Sequence, residues 1–354
     1  MKINFNIILF ILLTTPSTLK MQNVFSLDHS DKSFETAYKD GVMNYRYSRD
    51  GYGNGNTDDR SFVLTLGEIT IQGMLDGHSG SKCVDYIYKH FPGVLINAIM
   101  PILKSEMSED EMHKSLRPVI TQAFIDFNIR IHTDKISGGS TATIIIITKS
   151  FGTVCFIGDS PYLIMTENKE ILAQMTTDHS PDNPSEVERV TRAGGRIGAT
   201  FNGRDTRGVF HGPLIQGLAM TRGFGHLLPS GEQPSVIAEP DYNTFEIPKG
   251  QKIILCSCTD FVTEKIVNVL DLYGRPVKKI RNQRNFVDEV CPELLTLNLD
   301  TIETVGTFIR TFVDTIVEGF CFNGRYCGDN ACISVTVIPA RETNIEPPVK
   351  KSKV

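Results

Sequence analysis

Ile69-Thr70-Ile71-Gln72-Gly73-Met74-Leu75-Asp76-Gly77-His78-Ser79-Gly80 is the stretch on which the fold turns. Its first seven residues form an apolar, strand-type run, and Asp76 sits where that strand emerges into a glycine-rich turn. The placement suits metal chemistry. A strand end is rigid, and glycine lets a backbone carbonyl approach a cation as closely as the neighbouring carboxylate does. Asp-Gly is also a common turn dipeptide, so the weight comes from other segments that recur around it in order.

Asn56-Thr57-Asp58-Asp59-Arg60 precedes the strand-type run Ser61 to Leu66. Adjacent acids point to opposite sides of an extended chain, so one can face a metal while the other turns to structure. Gly138-Gly139-Ser140-Thr141-Ala142 opens a run of isoleucines with small residues, where the backbone passes something closely. Val154-Cys155-Phe156-Ile157-Gly158-Asp159-Ser160 again reads as strand, glycine, acid. Thr177-Asp178-His179-Ser180-Pro181, Asn183-Pro184, Glu186, Glu188-Arg189 and Ala193-Gly194-Gly195 form a turn, a short helix and a glycine stop. Gly217 to Gly225 is a small-residue strand and turn, and Gly328-Asp329-Asn330 leads into the last strand.

The chain has 354 residues, enough for a substantial core, and 40% hydrophobic with 22% charged residues is the composition of an ordinary globular protein. With 36 basic against 41 acidic residues, the net charge of −5 argues against nucleic acid as a partner. Strand-type runs at Thr141 to Thr148, Thr153 to Ile157, Tyr162 to Thr166, Lys252 to Ser257 and Ala331 to Ile338 join the two already named. Helical patterns cover Cys83 to His90 with Val94 to Leu103, Met107 to Ile131, Ser185 to Ala193, and Leu294 to Phe320. Strands in runs and helices in pairs predict an α+β fold with antiparallel sheet.

The first 17 residues combine Lys2, a short apolar run and then small residues, the layout of a signal peptide, and so predict the secretory pathway or secretion. No later segment is long enough to span a membrane. Residues 18–37 read as a leader, 38–339 as one domain, and 340–354 as a disordered basic tail. Most of the eight cysteines sit in apolar runs and read as core residues, while Cys321 and Cys327 are spaced to bridge a loop in an oxidising compartment.

The ordered set of segments resembles the metal-dependent serine/threonine protein phosphatases of type 2C, the PPM family, over about Tyr38 to Pro339. The resemblance implies two stacked antiparallel sheets flanked by helices, with a binuclear Mn2+ or Mg2+ site at one end. It implies that Asp76 bridges both ions, that Asp58 (with Asp59 beside it) and the Gly77 carbonyl serve one, and that Asp329 serves the other. Asp159 corresponds to a ligand of a weaker third ion. The implied reaction is hydrolysis of phosphoserine and phosphothreonine in a protein substrate by a metal-bound hydroxide, with Asp76 and His78 in the catalytic centre and His78 protonating the leaving alcohol. Carboxylate and carbonyl oxygens are the donors such hard cations take. A monomer is expected.

The chain departs from the family pattern in four places. Asn54 stands where an arginine normally holds the substrate phosphate, with Arg46 and Arg49 nearby. Pro161 follows Gly158-Asp159-Ser160 where arginine is common. His226 stands where an aspartate is expected, which predicts a loss of local hydrogen bonding. After Lys252 to Ser257, an ungapped reading puts Cys258 on a metal-ligand position, whereas a gapped reading with a β-bulge puts Asp260 there and Glu264 on the acid that follows. The bulged reading recovers two acids, so Asp260 is the expected ligand. Those departures leave a second function open, a pseudophosphatase that keeps the fold and binds a protein partner without turnover. A phosphate ester outside proteins is a third possibility.

Overall fold

The computed structural model describes residues 32–39, 41–49, 57–199, 207–210, 217–226, 234–270, 276–283, 302–319, 321–322, 325–326 and 330–341. Eleven strands build two antiparallel sheets: β1 (Lys32–Lys39), β2 (Val42–Arg49), β3 (Arg60–Leu66), β4 (Ile69–Leu75), β5 (Ala142–Ile147), β6 (Phe151–Ile157), β7 (Tyr162–Thr166), β8 (Ile171–Gln174), β9 (Asp241–Glu246), β10 (Ile253–Cys258) and β11 (Ala331–Ile338). One sheet runs β1-β2-β11-β10-β7-β8 and the other β9-β6-β5-β4-β3. Helices α1 (Lys82–Leu103), α2 (Glu109–Thr133), α3 (Pro184–Arg192) and α4 (Ile302–Gly319) complete the main elements. This is the α+β sandwich expected.

The run of isoleucines in β5 has a simple cause, because both faces of that strand are buried. Ile144 and Ile146 pack under α1 and α2 with Phe62, Leu64 and Ile71. Ile145 and Ile147 face the second sheet, against Ile164, Ile253 and Leu255. On the far side, Ile254, Cys256 and Cys258 of β10 pack with Tyr45 and Tyr47 against Val305, Ile309 and Val313 of α4. A polar tie also crosses between the sheets. Gln72 of β4 donates to Ser257 Oγ of β10 at 2.7 Å and accepts from Thr336 of β11. Buried side-chain amides of this kind are costly unless paired, so they discriminate against register slips.

Several sequence expectations shift here. β1 begins at Lys32, inside the stretch expected to be leader, and pairs along its length with β2. Arg341, at the start of the expected tail, donates to the carbonyls of Glu68 and Thr148. Residues 1–31 and 342–354, which hold the expected signal peptide and most of the tail, lie outside the described residues. Cys83, Cys155, Cys256, Cys258 and Cys332 are buried thiols outside any disulfide, as their apolar settings predict. Cys321 lies in a two-residue strand, and Cys327 lies outside the described residues. No described helix is long and apolar enough to cross a membrane.

The proposed bulge is absent. β10 pairs residue by residue from Ile253 to Cys258 with β11, and from Ile253 to Ser257 with β7, without a register shift. Asp260 instead lies past the end of the strand, after Thr259, and opens a single turn of 3-10 helix. The unbroken ladder keeps Cys256 and Cys258 in the core under α4.

Candidate active site

Asp76 emerges from β4 at the end of the sandwich where β10 also ends. Its N–H donates to Thr141 Oγ1 at 3.1 Å, and its carbonyl accepts from Thr141 N–H at 2.9 Å. With the main-chain bonds spent on Thr141, the carboxylate is held half-buried at the rim. Gly77 follows because nothing larger fits: a Cβ there would collide with the Asp58 carbonyl and with Val84. That collision also measures how closely the Asp58 backbone lies against the Asp76-Gly77 turn.

Asp58 and Asp59 divide as adjacent acids on an extended chain must. Asp58 is half-buried, whereas Asp59 is 1% exposed and accepts from Thr259 Oγ1 at 3.1 Å. Thr259 Oγ1 in turn accepts from Cys332 N–H at 3.0 Å. Asp59 therefore ties the entry of β3 to the ends of β10 and β11, directly beside Asp260. This buried tie left no trace in the sequence, because Thr259 carries no recognisable motif.

Asp260 is half-buried and Cys258 fully buried. Burial pushes the Cys258 thiol well above its ordinary range, with Asp260 and Asp76 among the nearby charges that push it further. The acid two residues on is thus the one at the rim, and the thiol is a core group on the α4 side. Asp159 is 6% exposed, just beyond Gly158, whose left-handed φ of +99° and closeness to Thr141 exclude a side chain. Asp329 lies outside the described residues, as does Asn54, and its neighbour Asn330 is buried.

The oxygen donors of Asp58, Asp76, Gly77 and Asp260 fit a hard divalent cation, and the half-buried acids stand at one end of the sandwich. Among the described residues, no three His, Cys, Asp or Glu side chains are already drawn into a ligating cluster.

His78 is not free. Gly77 and His78 pair with Gly139 and Ser140 in a short ribbon, and Ser140 exchanges main-chain bonds with Phe224 at 3.2 and 2.8 Å. This stitching brings His226 to His78, with Nε2 to Nε2 at 2.7 Å and the rings coplanar within 2°. Gly139 lies against both Nε2 atoms, where a Cβ would collide. Burial lowers His78 to about 4, and burial with the neighbouring His78 lowers His226 to about 3. His226 therefore gains a hydrogen bond where its departure from the family pattern predicted a loss.

Neither nearby arginine stands free at the rim. Arg49 pairs with Asp314 of α4 at 2.7 Å. Arg46 is 1% exposed, and apart from the Cys332 thiol beside it, its guanidinium has no hydrogen-bond partner among the described residues.

A second polar cluster braces the site from the side. Glu186 of α3 accepts from Arg222 Nη2 at 2.6 Å, Arg189 Nη2 at 2.8 Å and Thr221 Oγ1 at 2.6 Å. Burial alone would raise this carboxyl, but those donors hold it at about 2. His179 accepts from Gly158 N–H at Nδ1, 3.1 Å, and its Nε2 meets Asp241 at 3.2 Å.

A family model described as Protein phosphatase 2C matches residues 60–268, more than half of the chain. The chain belongs to the protein phosphatase 2C family. Asp58, Asp59 and Asp329 fall outside the matched residues. Probable protein phosphatase 2C 2 of Paramecium tetraurelia is 29% identical over 261 residues, which are 70% of this chain and 81% of the relative. Protein phosphatase 2C 1 of the same organism is 28% identical over 203 residues, 54% of this chain and 63% of the relative, so the match spans less than two thirds of that protein. Among solved structures, serine-threonine phosphatase 2C from Toxoplasma gondii superposes with a TM-score of 0.62 at 16% identity, covering 89% of this chain and 99% of that one. A C. elegans sex determining protein gives 0.61 at 21%, covering 86% and 67%. At these identities the superpositions establish the protein phosphatase 2C fold.

Proposed function

We propose that the chain hydrolyses phosphoserine and phosphothreonine in a protein substrate at the acid-lined end of the sandwich. The observation that carries this reading is half-buried Asp76 at the end of β4, with the Asp58 backbone packed against the Gly77 turn beside it, in a chain of the protein phosphatase 2C family. Asp58, Asp76, the Gly77 carbonyl, Asp260 and Asp329 would hold Mn2+ or Mg2+, with Asp159 at a weaker third position. Two such ions neutralise the phosphate and lower the pKa of a water between them. The chain's own part is to hold those oxygens in place. Thr141 fixes Asp76, and Asp59 through Thr259 fixes the turn that carries Asp260.

Mn2+-dependent release of phosphate from a phosphothreonine peptide tests this. Chelator should abolish it, and Asp76→Asn should lower both turnover and Mn2+ affinity. Unchanged Mn2+ affinity in Asp76→Asn, measured by calorimetry, would overturn the assignment. A pseudophosphatase is the second reading, favoured by the commitment of Arg49 to Asp314 and by Asn54 in place of arginine. It predicts retained Mn2+ binding with no turnover.

A further inference from the structure

One guanidinium grips the segment that carries Asp58. Arg60 Nη1 donates to the carbonyl of Asp59 at 2.9 Å and to the carbonyl of Thr57, one on each side of the Asp58 carbonyl. The rest of the group turns to α1, where Nε and Nη2 meet Asp85 Oδ1 at 2.8 and 2.7 Å. Arg60 is 4% exposed, and strand alternation explains its aim, since Phe62 and Leu64 also pack on the α1 side. The Asp58 carbonyl itself lies against Gly77, whose other wall is Val84, the residue before Asp85. Three consecutive carbonyls are thus pinned, one by Gly77 and two by Arg60, with the start of α1 behind both pins. Asp59 N–H closes the segment onto Thr57 Oγ1 at 3.1 Å. These residues lie ahead of the β3 ladder, which begins at Arg60, so the pins do there what strand pairing does farther on.

We infer that Arg60, anchored by Asp85, is a positioning residue for the proposed cation site: it fixes the main chain on both sides of Asp58 and so sets where the Asp58 oxygens stand relative to Asp76. This rests on the phosphatase reading above. Ligand groups need to be held within about 0.5 Å of their working place. Partners that orient a metal ligand without touching the metal are worth about 10- to 100-fold in affinity or activity. The same kind of grip occurs at the opposite end of the β3-β4 hairpin, where Arg341 donates to the Glu68 and Thr148 carbonyls. That second grip holds no site acid, and so separates positioning from plain stabilisation.

The test is Mn2+ affinity by calorimetry, beside urea unfolding in chelator, for wild type, Arg60→Met, Asp85→Ala and Arg341→Met. Methionine keeps an unbranched stem and removes the guanidinium. Arg60→Met should weaken Mn2+ binding by about tenfold or more. Asp85→Ala leaves the Nη1 bonds and takes away their anchor, so it should weaken binding less, by about threefold. Arg341→Met should lower stability and leave Mn2+ affinity within about twofold of wild type, because it orients no ligand. Unchanged affinity in either folded Arg60→Met or Asp85→Ala overturns the inference. Asp85 is 48% exposed, so its variant decides the matter should Arg60→Met not fold. A loss in Arg341→Met as large as in Arg60→Met also overturns it, by making the effect one of general stability. A wild type that binds Mn2+ but releases no phosphate from a phosphothreonine peptide refutes the phosphatase reading alone, and the affinities still decide this one. A wild type that binds no Mn2+ refutes both.

Discussion

Glu186→Gln should cost the protein about 3 kcal/mol at neutral pH and remove part of its sensitivity to acid. The carboxylate is 2% exposed and spends both oxygens on Arg222, Arg189 and Thr221. A carboxyl held at about 2 against an ordinary 4.5 prefers its charged form in the native state by about 3 kcal/mol, at about 1.4 per tenfold. Neutralising one partner of a buried pair costs a similar 3 to 5 kcal/mol or so, because the guanidiniums lose their counter-charge. Between these two pKa values the unfolded chain binds the proton more readily than the native one. This contribution is therefore fully present above about 4.5 and is lost as pH falls through about 2. Urea unfolding of both proteins in chelator, from neutral pH down to about 2.5, reads the effect. The gap between wild type and variant should narrow steadily below the ordinary carboxyl pKa. A gap under about 0.5 kcal/mol at neutral pH, the size expected of an ordinary surface change, would refute the reasoning. So would a gap that does not depend on pH.

Gly77→Ala should weaken Mn2+ binding in calorimetry and cost about 1 to 3 kcal/mol, since its methyl group meets the Asp58 carbonyl and Val84. Asp260→Ala should abolish Mn2+-dependent phosphate release. Cys258→Ala should leave it nearly intact while lowering stability by about 1 kcal/mol, comparable with removing a buried methyl group; the reverse pattern would return the ligand role to Cys258. Arg46→Met should be neutral or stabilising by about 1 to 4 kcal/mol in thermal unfolding, because the guanidinium it removes is buried without an ion pair or oxygen partner among the described residues. A clear loss of stability would show that Arg46 offsets the charge of Asp59.

The central strands were legible because their patterns are local. β3, β4, β5, β6, β7, β10 and β11 fall within one residue of the apolar runs that predict them, except that β6 begins two residues early, at Phe151. β1 and β2 were not read as strands. Lys32–Lys39 is polar and alternates weakly, and Val42–Arg49 carries Asn44, Arg46 and Arg49, which only the tertiary structure explains. Arg49 faces Asp314, 265 residues away, and no local pattern announces such a pair. Asp76 and Asp159 were legible because a carboxylate beside glycine at a strand end is a local signal. The partners that hold acids in place, Thr141 for Asp76 and Thr259 for Asp59, are ordinary residues brought near by pairing. The bulge expected before Asp260 is not there, because β10 pairs in an unbroken ladder and Asp260 falls in the turn beyond it.

That turn has an evolutionary reading. Both faces of β10 are packed, Cys256 and Cys258 against α4, Leu255 and Ser257 toward the other sheet, so a one-residue insertion inside it would exchange two fitted surfaces. At Thr259 the same insertion meets a short 3-10 turn with no alternation to violate, so the chain can lengthen there at little cost to the sheets. An acidic ligand can then drift along the sequence, from the strand's last residue to a place two residues on, while the carboxylate stays at the rim. Lineages of this fold are free to exchange the residue that ends the strand for an apolar one once the acid has moved. Searches that demand the acid at a fixed offset from the strand would mistake such a chain for one that has lost its site.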